Sequence, residues 1–530
     1  MKIKKLVKIS TLIPAVFAIS GCFFTNLIQP NEEEIKISLP EIETVSSVKI
    51  NLRGRTEKSL YPTLSNNSVK NPEYLFSSSN TSIATVSSSG VVKGLSVGET
   101  IITITLKTNS KVKTTVKVNV VDQEVAHYDY TIMLYMCGSD LEYNPDLQPE
   151  ERVPFFTEDI KEILSVPNIP DEVKIIIETG GTTHWSMPKE YLEDATKISS
   201  TNLQRWEVNN NSHKLKLIET LPTNLMASEN SFSEFLSWGL DDYEADQMGV
   251  IISGHGGGIA GCAYDDNYTT KVGNQNWQNT LQTFEVANAA KTALSNSNKE
   301  KFTWVGYDCC VMQCADIATI NADYFDYMVA SQENENAVGW NHDIYLPYLA
   351  DNSKIEPTEF LPRICDAFLM DKHREHESGD QTCYQTLSVL DLSKVDTLIS
   401  TFDNLCGSLG ISMVSYTKAE LAFKRSFNSF GDSIFGLADF NSLVTELKNI
   451  DPLIDAQSVK DAVNNLVIYN TYCSKYTYSL CGVNAFFPLS LDSKYILQVG
   501  KEDYSNSLST KFSKWQNMCV TFGKFGWDSI

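Results

Sequence analysis

Four apolar runs constrain this chain most: "YTIMLYM" (130–136), "VKIIIETGG" (173–181), "MGVIISGHGGG" (248–258) and "FTWVGYDCC" (302–310). Each is apolar without alternation, the pattern of a strand buried on both faces of a parallel sheet. Segments with helical spacing lie between them: Ile160, Ile163 and Leu164 in "TEDIKEILS", and the stretch "LQTFEVANAAKTALS" (281–295). A further helix is expected from about Val311, and a further strand in "YFDYMVASQE" (324–333). Strands alternating with helices predict right-handed βαβ units, an α/β fold whose mostly parallel sheet is flanked by helices. The segment "FKRSFNSFGDSIFGLADFNSLV" suggests more helices in a C-terminal extension.

The first 122 residues read differently. "MKIKKLVKISTLIPAVFAISGCFFTN" carries four lysines in its first eight residues, then an apolar stretch too short to span a bilayer, then small residues. Residues 1–21 are therefore expected to be an export signal. Ile19-Ser20-Gly21-Cys22 resembles a bacterial lipobox, which implies lipidation of Cys22 and anchoring to the outer face of the cell membrane. After a linker (22–34), residues 35–122 show short alternating runs such as "SVKINL", "GVVKGL" and "ETIITITLKT", separated by turn residues, the pattern of an all-β sandwich. Ser78, Asn80, Ile83, Ala84, Val86, Gly90, Val92, Gly94, Gly98 and Ile101 make it similar to the group 2 bacterial immunoglobulin-like domain, read as a spacer or weak adhesive module. The α/β domain occupies 127–530.

Charge narrows the partners. With 66 Asp and Glu against 43 Lys and Arg in 530 residues, the chain lacks the basic balance that phosphate binding needs, so no nucleic-acid partner is expected. The 12 cysteines include no C-x-x-C pair and no regular short spacing, which excludes a zinc ribbon and a dense disulfide scaffold. His373 and His376 in "HREHE" lack the H-E-x-x-H arrangement and read as a solvated charged helix, so no metal site is expected.

Two strand ends carry reactive residues: His255, in "SGHGGG", and the Cys309–Cys310 pair, in "GYDCC". In α/β sheets chemistry gathers in the loops beyond the carboxyl ends of strands. A cysteine nucleophile needs its thiolate, which a neighbouring imidazole and a helix N-terminus both favour. Cys310 is expected where strand gives way to helix, with the amides of Gly256 and Cys310 as donors for an oxyanion.

"MLYMCGSDLE" (133–142), "IIIETGGTTHW" (175–185), "GVIISGHGGG", "YDD" (264–266), "GYDCCVM" (306–312), "VASQENENAVGW" (329–340) and "CGVNAFFP" (481–488), in this order, resemble the clostripain family of cysteine peptidases, which has a caspase-like fold. The resemblance implies peptide or protein substrates, His255 as catalytic acid or base, and Cys310 as nucleophile of a D-x-C triplet, with Cys309 packed and Cys314 a core residue. Asp308 matches an acidic residue near the pocket for the side chain before the scissile bond, and a carboxylate there favours arginine or lysine. Glu333 and Glu335 are further candidates for that pocket, whereas Asp140 reads as a helix cap. Family members are often activated by internal cleavage, for which Lys271, in a polar stretch read as strand-free, is the candidate. No cofactor is required; some relatives depend on calcium, and the absence of an EF-hand loop leaves that open. The rival reading is a surface binding lipoprotein that has kept the fold and lost catalysis.

Overall fold

The computed structural model describes residues 40–370, 385–427, 436–486 and 513–527, less short gaps at 46, 55, 61, 66–68, 70–71, 222, 224, 273–274, 296, 475 and 477. The export signal, Cys22, and the His373/His376 pair lie outside the described residues. Among those described, no helix is long and apolar enough to cross a membrane.

Alternation builds the N-terminal sandwich. Along Gly98–Leu106, Thr100, Ile102, Ile104 and Leu106 point inward, and Lys113–Val121 repeats the pattern with Val116, Val118 and Val120. These two strands pair antiparallel and are flanked by Ser47–Asn51 and Tyr74–Ser78, giving one sheet. A second, of Glu57–Ser59, Val91–Gly94 and Ala84–Val86, contributes Val92 and Ala84 to the same core.

The α/β domain is a nine-stranded sheet. Its strands are β1 (Tyr128–Cys137), β2 (Val173–Gly180), β3 (Gln204–Asn209), β4 (Lys214–Thr220), β5 (Ala245–Ser253), β6 (Phe302–Asp308), β7 (Phe325–Ala330), β8 (Thr386–Asp391) and β9 (Val467–Tyr472). The order is β4-β3-β2-β1-β5-β6-β7-β8-β9. The middle five are parallel, and an antiparallel pair closes each edge. Because β2 lies on one side of β1 and β5 on the other, the order reverses between β1 and β5, and a crevice opens at the carboxyl ends there.

Each apolar run feeds two cores at once. Met133, Tyr135 and Cys137 of β1 face one layer, with Phe232 and Phe235 of α3 (Glu229–Asp242), Ala290 of α4 (Thr283–Leu294) and Ile317 of α5 (Ala315–Asn321). Ile132, Leu134 and Met136 face the other, with Ile160 of α2 (Phe155–Ser165), Tyr345 of α6 (His342–Asp351) and Phe360 of α7 (Pro357–Phe368). Burial of each such side chain contributes about 1.5–3 kcal/mol. A short helix, α1 (Ser139–Glu142), follows β1 directly. The expected helix at Val311 begins instead at Ala315, since residues 309–313 form a turn in which Val311 takes φ 56°.

The C-terminal extension is helical as expected, with Val395–Leu409, Met413–Arg425, Phe440–Ile450, Ala456–Leu466 and Ser513–Trp527, and it also donates β8 and β9 to the sheet. Leu134 is 1% exposed in the layer beneath α2, whereas Leu75 on the sandwich is 55% exposed. Leu134→Ala is expected to lower the unfolding free energy by about 2–5 kcal/mol, and Leu75→Ala by less than about 0.5 kcal/mol, in denaturant melts.

Candidate active site

The pairing of β5 with β6 decides where the reactive residues stand. Ser253 lies opposite Asp308 in the ladder, and the Gly254 N–H continues it with a bond to the Asp308 carbonyl at 3.2 Å. His255 and Cys310 each follow two residues beyond that pair. Both line a cavity of about 220 Å³ with Leu141, Phe156, Asp159, Asp308 and Glu335.

Glycine is required at 256 by close approach. A Cβ there would sit 2.2 Å from the Cys310 carbonyl oxygen and 2.8 Å from its nitrogen. The chain then forms a bridge between Gly256 and Cys262, made by Gly257 N–H to Gly261 O (2.9 Å) and Ala263 N–H to His255 O (3.0 Å). In that bridge the Gly256 N–H takes no part in the ladder.

Asp140 departs from expectation. The cap position of α1 is Gly138, with no side-chain cap bond, and the Asp140 carboxylate instead accepts from His255 Nε2 at 2.6 Å. That bond holds the Asp140 carboxyl below its usual range. The support behind it is buried: Glu142 accepts from Thr157 N–H (2.9 Å), Thr157 Oγ1 (2.7 Å) and Ser186 N–H (2.8 Å), tying α1 to α2.

Cys310 sits in the turn, not at a helix start. Its Sγ accepts from the Glu335 N–H at 3.3 Å, while burial pushes its thiol up. The expected lowering by a helix N-terminus does not arise, because α5 begins five residues later. Cys309 is packed, its thiol donating to the Ile252 carbonyl at 3.3 Å, and Cys314 is buried at the start of α5. The ten cysteines described are all free.

Three carboxyls gather at the cavity: Asp308 from the end of β6, Glu335 from the loop after β7, and Asp159 from α2. Burial raises Asp308 to about 6 and Glu335 well above the ordinary range, with the Asp308 charge opposing ionisation of Glu335. Asp159 is raised too, by burial and then by Asp308, Glu162 and Glu142. Glu333 is not in the lining. Residues 331–333 pair with the turn, through Gln313 N–H to Ser331 O and Val311 N–H to Glu333 O, both 2.9 Å, so the chain reaches the cavity only at Glu335.

That loop is held from the C-terminal extension. Asn484 donates to the Gln332 carbonyl (2.8 Å), Gln332 Nε2 donates to Asp439 (3.2 Å) and Asn484 Oδ1 (3.1 Å), and Gly482 N–H meets Gln332 Oε1 (2.9 Å). Lys271, expected in a strand-free stretch, belongs to the strand Cys262–Val272, one residue before its end and opposite Asn276 of the antiparallel strand Gln275–Leu281.

The clostripain family's sequence model matches residues 135–523. The chain belongs to the clostripain family of cysteine peptidases. The group 2 bacterial Ig-like domain matches residues 44–116. The secreted C11 cysteine protease iotapain of Bacteroides thetaiotaomicron shares the fold: 16% identity, 72% of this chain and 99% of that one, TM-score 0.52. Also similar are an inactive zymogen C11 protease from Parabacteroides distasonis (15% identity, 73% and 99%, TM-score 0.49) and a B. thetaiotaomicron secreted C11 protease bound to an irreversible peptide inhibitor (15%, 76% and 100%, 0.48). No match was found among curated proteins.

With His255 as the acid–base of this clostripain-family peptidase, Asp140 would act through the imidazole it bonds. Asp140→Asn is expected to lower kcat about tenfold or more, part of the 10²–10⁴-fold that a positioned acid–base group supplies, with KM little changed. Steady-state kinetics on one peptide checks this.

Proposed function

We propose that this peptidase is an exported, lipid-anchored endopeptidase that cleaves after arginine or lysine, with Cys310 as nucleophile and His255 as acid–base. The observation that carries the specificity is the carboxyl-lined cavity beside Cys310. Burial leaves its acids short of charge when empty, and a guanidinium or ammonium entering it would draw Asp308 and its neighbours into ionisation.

The chemistry follows from the two strand ends. Transfer of the Cys310 proton to His255 yields thiolate and imidazolium, the latter steadied by Asp140. The thiolate attacks the scissile carbonyl carbon, and the N–H groups of Gly256 and Cys310 hold the oxyanion. Collapse expels the amine, which takes the proton from His255 and leaves a thioester. Water, deprotonated by His255, then attacks the thioester carbon; acid is released and the thiol restored. Neither a metal nor an organic cofactor enters these steps. Processing at Lys271 would require the hairpin to open, because a strand paired on one side is not free to lie in a cleft.

Peptides differing only in the residue before the cleaved bond test the reading. Cleavage is expected after Arg or Lys, absent in Cys310→Ala, and the ratio of kcat/KM for Arg over a neutral residue is expected to fall about a hundredfold in Asp308→Asn. An unchanged ratio would sink the role of Asp308. Because Asp308 in the free enzyme takes up a proton near pH 6, the same ratio is expected to decline as pH drops below about 6.

Anchoring at Cys22 is supported by the Lys-rich, apolar, small-residue order of residues 1–22. Cys22→Ala is expected to move the protein from the membrane fraction to the soluble one. Retention in the membrane fraction would count against lipidation.

A further inference from the structure

Beside two of the cavity's carboxyls lies His342, a group to which the peptidase reaction gives no role. Asp159, Asp308 and His342 each bring one donor atom to within 4.8 Å of the others. They come from three elements, α2, the end of β6 and the start of α6, and are 4%, 7% and 0% exposed. His342 Nδ1 meets the Tyr345 hydroxyl at 2.6 Å, and its Nε2 has no hydrogen-bond partner. An orphaned ring nitrogen in a sealed interior is costly, and so are two neighbouring carboxyls whose nearest charges are further acids. A cation would relieve both.

We propose that Asp159, Asp308 and His342 bind a divalent transition-metal ion of the zinc class at the floor of the substrate cavity. Two carboxylate oxygens and one imidazole nitrogen suit Zn²⁺, Co²⁺ or Ni²⁺, whereas Ca²⁺ and Mg²⁺ take oxygen ligands. Burial pushes His342 down to about 3, so its imidazole stays in the neutral, ligating form, and the Tyr345 hydroxyl can accept the Nδ1 proton and orient the ring. Asp159 and Asp308 line the cavity, which provides access from solvent. Binding occupies the charge that a substrate's cationic side chain would meet. The metal is therefore an inhibitor competitive with Arg peptides, a consequence that rests on the specificity proposed above, while the binding itself does not.

The test is calorimetric titration of the full chain carrying Cys310→Ala with Zn²⁺, and with Co²⁺ followed by its visible absorption, at pH 7.5. One equivalent is expected to bind. Affinity is expected to fall at least a hundredfold in His342→Asn and in Asp159→Asn, each checked for an unaltered melting temperature, and to persist in His255→Ala. Two variants guard against His342→Asn failing to fold. Absence of binding, binding that survives both substitutions, or binding lost with His255→Ala would overturn the site. With wild-type protein, Zn²⁺ is expected to raise KM for Arg peptides without lowering kcat. Since the titration needs no activity, a failed peptide series and a failed metal site are told apart.

Discussion

The parallel register of β5 on β6 is the constraint on which the rest of the site depends. Ser253 opposite Asp308 places His255 and Cys310 equally far beyond neighbouring strand ends, about 4.8 Å apart in the hydrogen-bonding direction. A slip of one residue would turn every side chain of a strand to the other face, and here both faces are buried. Two apolar cores, one on each side of β1, β5 and β6, therefore fix the distance between an imidazole and a thiol. Gly256 completes the arrangement by letting its backbone lie against Cys310, where no side chain fits.

The cavity opposes stability to recognition. Asp159, Asp308 and Glu335 are buried close together, and each would be more stable in water as a charge. They persist because the elements that carry them are anchored elsewhere: α2 through Phe156, Ile160 and Ile163, β6 through the sheet, and the 331–335 loop through Asn484, Asp439 and Gln313. On the two proposals made above, such a site would take a cation of either kind, a side chain or a metal ion, with His342 as a ligand for the metal alone.

The segment "CGVNAF" has a mechanical role in this scheme. It is not part of the cavity lining, but it clamps the loop whose Glu335 amide meets the Cys310 sulfur and whose carboxyl enters the pocket. A residue some 150 positions later in the chain thus sets the surroundings of Cys310, with the Asn484 N–H also donating to the Gln313 carbonyl at 2.8 Å.

Local pattern carried the architecture: short unbroken apolar runs between helical segments marked the buried strands, alternation marked the sandwich, and glycines after His255 marked a tight strand end. The motif order pointed to His255, Cys310 and Asp308, and the fold brings the three to one cavity. What it left unread depends on contacts between distant segments. Asp140 looked like a cap because its neighbours in the chain suit one; only the fold brings His255 to it. Glu333 and Glu335 are indistinguishable until pairing with residues 311–313 consumes the first. Asp159 did leave a trace, a carboxylate within the apolar stripe of Phe156, Ile160, Ile163 and Leu164, but only the fold brings it within 4.8 Å of Asp308 and His342. Periodicity reports which face of an element is buried, whereas burial opposite a particular partner, with the shift in charge it brings, exists only once the elements have packed.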